Sequence, residues 1–324
     1  MDKSDFSSDG VILLLGVTGA GKSYFLNKLK SHSAKEGHGL QSETARCQAV
    51  RIVLKDDGTE DTRSIVVVDT PGFDDTKRNR GEILKEITEY LATQYALGVP
   101  LRGVIYLHKI TDNRMTGSSV NYLKILRSLV GDDALGNLVL VTNMWNKLRD
   151  EDRGEALQRE QELIDDFWDP MIEKGSYVHQ FDGTTESAFG LVHQLADKKS
   201  VVLAIQKQIM DEDQYVLDTS AGENLAQQLK IDISGYRTKA AQLEAQLEAQ
   251  PDGTQRKELK EEREQMEELL EQAEESMESM KVRPGPSIRE RIKQVLKDSG
   301  KDIGVALAAA LSVTVSVIRL VIGA

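Results

Sequence analysis

The chain has 324 residues, a formal net charge of −12 and a pI near 5.1. This balance argues against a nucleic-acid partner. The single cysteine, Cys47, excludes an intrachain disulfide and suits a reducing, cytoplasmic setting, and the polar opening MDKSDFSSDG does not read as a signal peptide.

The first element is VILLL (11–15), a continuous apolar run of the kind a buried parallel strand shows. GVTGAGKS (16–23) follows and fits G-x-x-x-x-G-K-[ST]. Glycines let such a loop take positive φ, so that its N–H groups point at a β-phosphate. Lys22 would bridge the β- and γ-phosphates and the Ser23 hydroxyl would ligate Mg2+. YFLNKLK then reads as a helix whose N-terminus adds its dipole to the anion site. The expected nucleotide-binding set here is Gly16, Thr18, Gly19, Ala20, Gly21, Lys22, Ser23 and Tyr24. In the polar loop 31–47, Thr44 is the expected second Mg2+ ligand, with nearby Ser42 as competitor.

Strands are expected at 49–54 and 64–70, joined by KDDGTED into an antiparallel hairpin because no helix separates them. The second of these strands runs into DTPG (69–72). Asp69 there would reach the Mg2+ shell through water, and the Gly72 N–H would meet the γ-phosphate, as in a segment ordered by that phosphate. Phe73 follows, where a Ras-like enzyme has the glutamine that orients water, so unaided hydrolysis should be slow. Asp74 and Asp75 offer groups that would place water; an acidic turn is the plainer reading. A helix is expected at 80–96, a strand at 103–110, and just beyond it Arg114, a candidate charge stabiliser supplied across a dimer. A plain surface arginine is its alternative, and His108 reads as a structural histidine rather than a base. Helices at 119–130, 155–168 and 187–210 and strands at 137–144 and 176–181 complete the alternation. The result is an α/β fold, a P-loop G domain with a six-stranded, mostly parallel sheet and helices on both faces.

The strand ending VTNMWNKL should carry the base reader. In one frame Thr142 and Trp145 take the Asn and Asp places of N-K-x-D, and Trp145 can stack but not accept a hydrogen bond. Shifted by one, Asn143 and Asn146 make a neutral reader. FDGTTESA (181–188) fits the second base loop, with Asp182, Gly183 and Thr184 supplying backbone contacts and Gly183 taken into the binding set.

In their order, GVTGAGKS, SETARC, DTPGFDD, LHKITDNRMTGS and VTNMW resemble the septin-related, immune-associated AIG-type (GIMAP-like) GTPases, within them a fungal-type branch. The plant chloroplast import GTPase receptors are similar. The resemblance covers about residues 9–210 and supports Thr44 through Ser-x-Thr-x-x-Cys at 42–47. It implies binding of GTP and GDP, slow turnover, homodimerisation across the G-domain face and a C-terminal membrane anchor. Thr142 fits the family's T-x-K-[DE] pattern; Trp145 departs from its acidic residue. Lys22, Thr44, Gly72 and Arg114 form the expected catalytic set, and Ser23, Thr44 and Asp69 the metal set.

Beyond the expected G domain (1–212), heptads at Leu229, Ile233, Tyr236, Ala240, Leu243 and Leu247, and again from Leu259 to Met280, flank QPDGT and predict a helical hairpin (213–282). RPGP (283–286) reads as a stiff linker to a basic amphipathic helix and an apolar tail (283–324). Residues 303–324 hold one charge, Arg319, and are long enough to span a bilayer; a helix docked on the G domain or on a second copy is the alternative. Two rivals to a GTPase switch or scaffold stay open: an ATP-dependent P-loop enzyme, and a non-hydrolysing module whose nucleotide controls assembly. A small-molecule kinase fits less well, for no Arg-rich lid is evident.

Overall fold

The computed structural model describes residues 10–31, 33, 47–55, 62–72, 78–249 and 253–298. Six strands form one sheet: β1 (Val11–Gly16), β2 (Gln48–Lys55), β3 (Thr62–Asp69), β4 (Leu101–Lys109), β5 (Leu138–Asn143) and β6 (Tyr177–Gln180), in the order β2-β3-β1-β4-β5-β6. Only β2 and β3 pair antiparallel. Every residue of β1 and β5 is buried, as their unbroken apolar runs require in a sheet covered on both faces. The parallel register sets Leu14 of β1 against Asp69 of β3 and Gly16 against Leu107 of β4, which gathers the carboxyl ends of the strands at one edge.

Around the sheet lie α1 (Lys22–Leu29), α2 (Arg80–Ala96), α3 (Gly117–Val130), α4 (Arg153–Glu162), α5 (Asp169–Ile172), α6 (Thr185–Ala196) and α7 (Ala204–Met210). Asn79, Thr116 and Thr184 cap α2, α3 and α6 by accepting from the N–H three residues on. The helix expected over 155–168 is instead α4 followed by a π-helical turn, Leu163–Trp168. Buried residues fall at 156, 160, 163, 168 and 171, and the five-residue step to Trp168 needs the wider turn. The helix expected over 187–210 breaks between α6 and α7. There Val201 donates to the Leu101 carbonyl, while Asn137 and Arg102 side chains take the carbonyls of Lys199 and Lys198, so the backbone is satisfied outside a helix.

The hairpin comprises α8 (Ser220–Ala249) and α9 (Thr254–Ser279), antiparallel by their ion pairs Arg237–Glu274, Lys239–Glu262 and Arg263–Glu244. Its base shares the G-domain core. Leu225 and Leu229 are buried, Asn224 donates to Ser128 at 2.7 Å, and Asp232 pairs with Arg80 at 2.5 Å. Gly81 lies so close to α9 that a Cβ would come within 2.0 Å of the Ser276 carbonyl oxygen. The boundary expected at 212 therefore does not separate two cores. The expected linker RPGP is also helical: Pro284 opens α10 (Pro284–Asp298), a first-turn place where its missing N–H costs nothing, and Ile288 and Ile292 are buried. No helix among the described residues is long and apolar enough to cross a membrane. The tail 303–324 lies outside the described residues, as do Ser42, Thr44, Phe73, Asp74 and Asp75.

Candidate functional site

The loop between β1 and α1 turns on three glycines of positive φ: Gly16 at 151°, Gly19 at 73° and Gly21 at 90°. These angles suit glycine and are those of a loop able to turn successive N–H groups toward an anion. Lys22, 6% exposed, folds its ammonium under the loop and donates to the carbonyls of Gly16 at 2.9 Å and Val17 at 3.0 Å. Ser23 donates to Asp69 Oδ2 at 2.9 Å. A hydroxyl and a carboxylate side by side at the loop's mouth are hard oxygen donors that fit Mg2+. Thr70 ties the end of β3 to β1 by donating to the Leu14 carbonyl at 2.8 Å. Gly72 then packs on the loop itself: a Cβ there would lie 2.5 Å from Thr18 N. Gly16, Thr18, Gly19, Ala20, Gly21, Lys22, Ser23, Asp69 and Gly72 are thus brought together as their spacing implied.

The strand-end frame is resolved by hydrogen bonds. Asn143, 2% exposed, donates from Nδ2 to the Ala20 carbonyl at 2.8 Å, and its Oδ1 accepts from Met144 N at 2.6 Å. Thr142 faces the opposite side, fully buried, donating to Glu160 at 2.6 Å and accepting from Trp145 Nε1 at 3.0 Å. Trp145 is itself 6% exposed within the core. Of the two frames, Asn143 stands at the phosphate loop and Asn146 lies exposed beside Gly183, whereas Thr142 and Trp145 are placed as packing residues, because successive strand residues point to opposite faces. A Cβ on Gly183 (φ 89°) would be 3.1 Å from both Asn146 Nδ2 and Tyr24 Oη, and Tyr24 donates to the Gly183 carbonyl at 3.2 Å. These three residues lie together beyond β5 and β6. Sequence reasoning missed Met144: its φ of 69° and its methyl, 3.8 Å from the Cβ place of Gly21, lay it along the loop. Only its place inside the shifted reader marked it.

Arg114 is exposed on the turn before α3. His108 is buried edge-on to Trp168, and burial holds its pKa down at about 4. Cys47 is buried too, its thiol pushed up by burial and by the Glu86 carboxylate, so it is no nucleophile.

A parallel sheet switching direction beside β1, a glycine loop over its carboxyl edge and a Ser–Asp pair at the loop's mouth define a P-loop nucleotide-binding protein of the GTPase type. The AIG1 family profile matches residues 11–188, more than half of the chain, and the chain belongs to that family. Among solved structures it is similar to Toc33 from Arabidopsis thaliana in complex with GDP and Mg2+, at 14% identity over 60% of this chain and 87% of that one, TM-score 0.44. It is similar as well to Toc33 with Mg2+ and GMPPNP, at 15% identity over 60% and 88%, TM-score 0.43. A third likeness is to Roco2 RocCORdC of Methanosarcina barkeri bound to GDP, at 16% identity over 60% and 50%, TM-score 0.35. None of these likenesses is close enough to bear on the site.

Proposed function

We propose that the protein binds GTP and GDP with Mg2+, hydrolyses GTP slowly, and acts as a nucleotide-controlled switch or scaffold that pairs with a second copy across its G-domain face. The convergence of Lys22, the Ser23–Asp69 pair and Asn143 on one loop carries this reading, with AIG1 membership beside it. Lys22 would neutralise phosphate charge, loop N–H groups would hold the β-phosphate, and the Gly72 N–H would meet the γ-phosphate. Mg2+, when bound, supplies further charge neutralisation at the transferring phosphoryl group. The chain itself has Phe73 where water would be oriented, so a group from a partner copy completes the reaction, and Arg114 is exposed for that role. Thr44 is kept as second Mg2+ ligand on sequence grounds.

The test is to denature the purified protein and identify the released nucleotide by chromatography. A guanine nucleotide supports the reading; an adenine nucleotide moves it to the ATP-dependent rival. A cytosolic protein held at a membrane by 303–324 rests on that run's length, its single charge and the basic residues Arg289, Arg291, Lys293 and Lys297 before it. If so, the full chain sediments with membranes and a chain ending near Asp298 does not. A full chain that stays monodisperse without detergent removes the anchor.

A further inference from the structure

Asn146, exposed beyond β5, lies beside Gly183 and Tyr24, and among the described residues no carboxylate is hydrogen-bonded to any of the three. Asn143 fixes the frame by its bond to the Ala20 carbonyl, which puts Asn146, three residues on, in the base-reading place of that frame. The nearest acid in the neighbouring loop, Asp182, is turned back on its own chain: its Oδ1 accepts from the Thr184 N–H at 2.8 Å and the Thr184 hydroxyl at 2.7 Å. Glu160 lies behind the strand, engaged by Thr142 and Gln180. In that frame the side chain offered to a base edge is a carboxamide.

A carboxylate accepts at both oxygens and matches guanine, which presents two donors side by side, N1–H and the 2-amino group. A carboxamide offers one acceptor and one donor. Set against guanine, its oxygen takes N1–H while its NH2 confronts another donor. Set against xanthine, the oxygen takes N1–H and the NH2 donates to the carbonyl at position 2, so both pairs are satisfied. Hypoxanthine, with hydrogen at position 2, makes the first bond alone and meets no opposing donor.

We propose that Asn146 sets the base specificity of this pocket toward purines with a carbonyl, not an amino group, at position 2, so that xanthosine nucleotides bind more tightly than guanosine nucleotides. The proposal deepens the nucleotide-binding reading and rests on it. An unmatched donor costs more than a missing bond, because the buried polar group loses its water without replacement. The preference should therefore reach about tenfold or more.

The test measures dissociation constants of XDP, IDP, GDP and ADP with Mg2+ by calorimetry, on the full chain and on Asn146→Asp. Occupancy in a cell follows abundance as well as affinity, so pure nucleotides are used. The full chain is expected to bind XDP about tenfold or more tighter than GDP, with IDP between. Asn146→Asp should invert the order, since its carboxylate meets both donors of guanine and opposes the carbonyl of xanthine. GDP tighter than or equal to XDP in the full chain overturns the proposal while leaving the P-loop reading intact, and so does an Asn146→Asp variant whose order does not change. Lys22→Ala keeps the two readings apart: loss of all four ligands there shows that binding runs through the phosphates, and failure of the unaltered chain to bind any of them overturns both.

Discussion

Asn143 is the residue through which the base strand and the phosphate loop hold each other. It is buried, bonds Ala20 and Met144 at once, and leaves no room for a Cβ on Gly21, which would sit 2.3 Å from its Nδ2. Asn143→Ala should lower nucleotide affinity about tenfold and cost the fold about 1–2 kcal/mol, the loss from stranding buried partners. Fluorescent-nucleotide titration and urea unfolding measure the two; affinity unchanged within twofold refutes the coupling. His108 makes a second test. Its folded pKa of about 4 lies below the unfolded 6.5, with Asp112 raising it and Lys109 lowering it beside the dominant burial. The stability contributed by the neutral ring is present above about 6.5 and is lost as pH falls toward 4, by about 3 kcal/mol at most. A urea midpoint that falls as steeply in His108→Gln as in the parent would remove His108 as the cause. At this scale the phosphate loop and DTPG were legible because their geometry is written in consecutive residues. The base reader was not, since Thr142 and Asn143 differ by one step along a strand and only tertiary partners decide which faces the loop.

Elements were legible in kind and less so at their ends. The six-stranded, mostly parallel sheet followed from alternating strands and helices, and its antiparallel pair from the missing helix between β2 and β3. The π-helical turn at Leu163–Trp168 and the break before α7 escaped, because both depend on where Trp168 and Val201 find partners and not on local propensity. The heptads announced α8 and α9, yet they could not show that α8 begins at Ser220 or that its first turns pack on α3. Close approach at the hairpin base hangs on Gly81 and also on Gly222, where a Cβ would fall 1.9 Å from the Val216 carbonyl oxygen. Gly81→Val should lower stability by about 1–3 kcal/mol through overpacking, seen as a drop in the thermal midpoint. A midpoint within one degree or so of the parent, an effect of the ordinary surface kind, would mean that α9 can move away freely.

For the whole molecule, the exposed Arg114 leads to an expectation about concentration. If a second copy completes the site, GTP turnover per protein should rise with protein concentration over the micromolar range, and Arg114→Ala should flatten that rise with nucleotide affinity unchanged. Turnover independent of concentration counts against pairing. The rest of the chain has a geometry of its own. From Tyr236, the last residue at the base of α8 packed against the core, thirteen residues of helix run on to Ala249, about 20 Å at 1.5 Å per residue. The base of the hairpin grips α2 through Arg80 and Gly81 and α3 through Ser128, the helices that follow the DTPG segment and the Arg114 turn. The hairpin is thus a rod clamped at one end. A tilt of about one degree at the clamp carries its free end about 0.3 Å by that length, so a shift too slight to disturb the core would still re-aim whatever the far end touches.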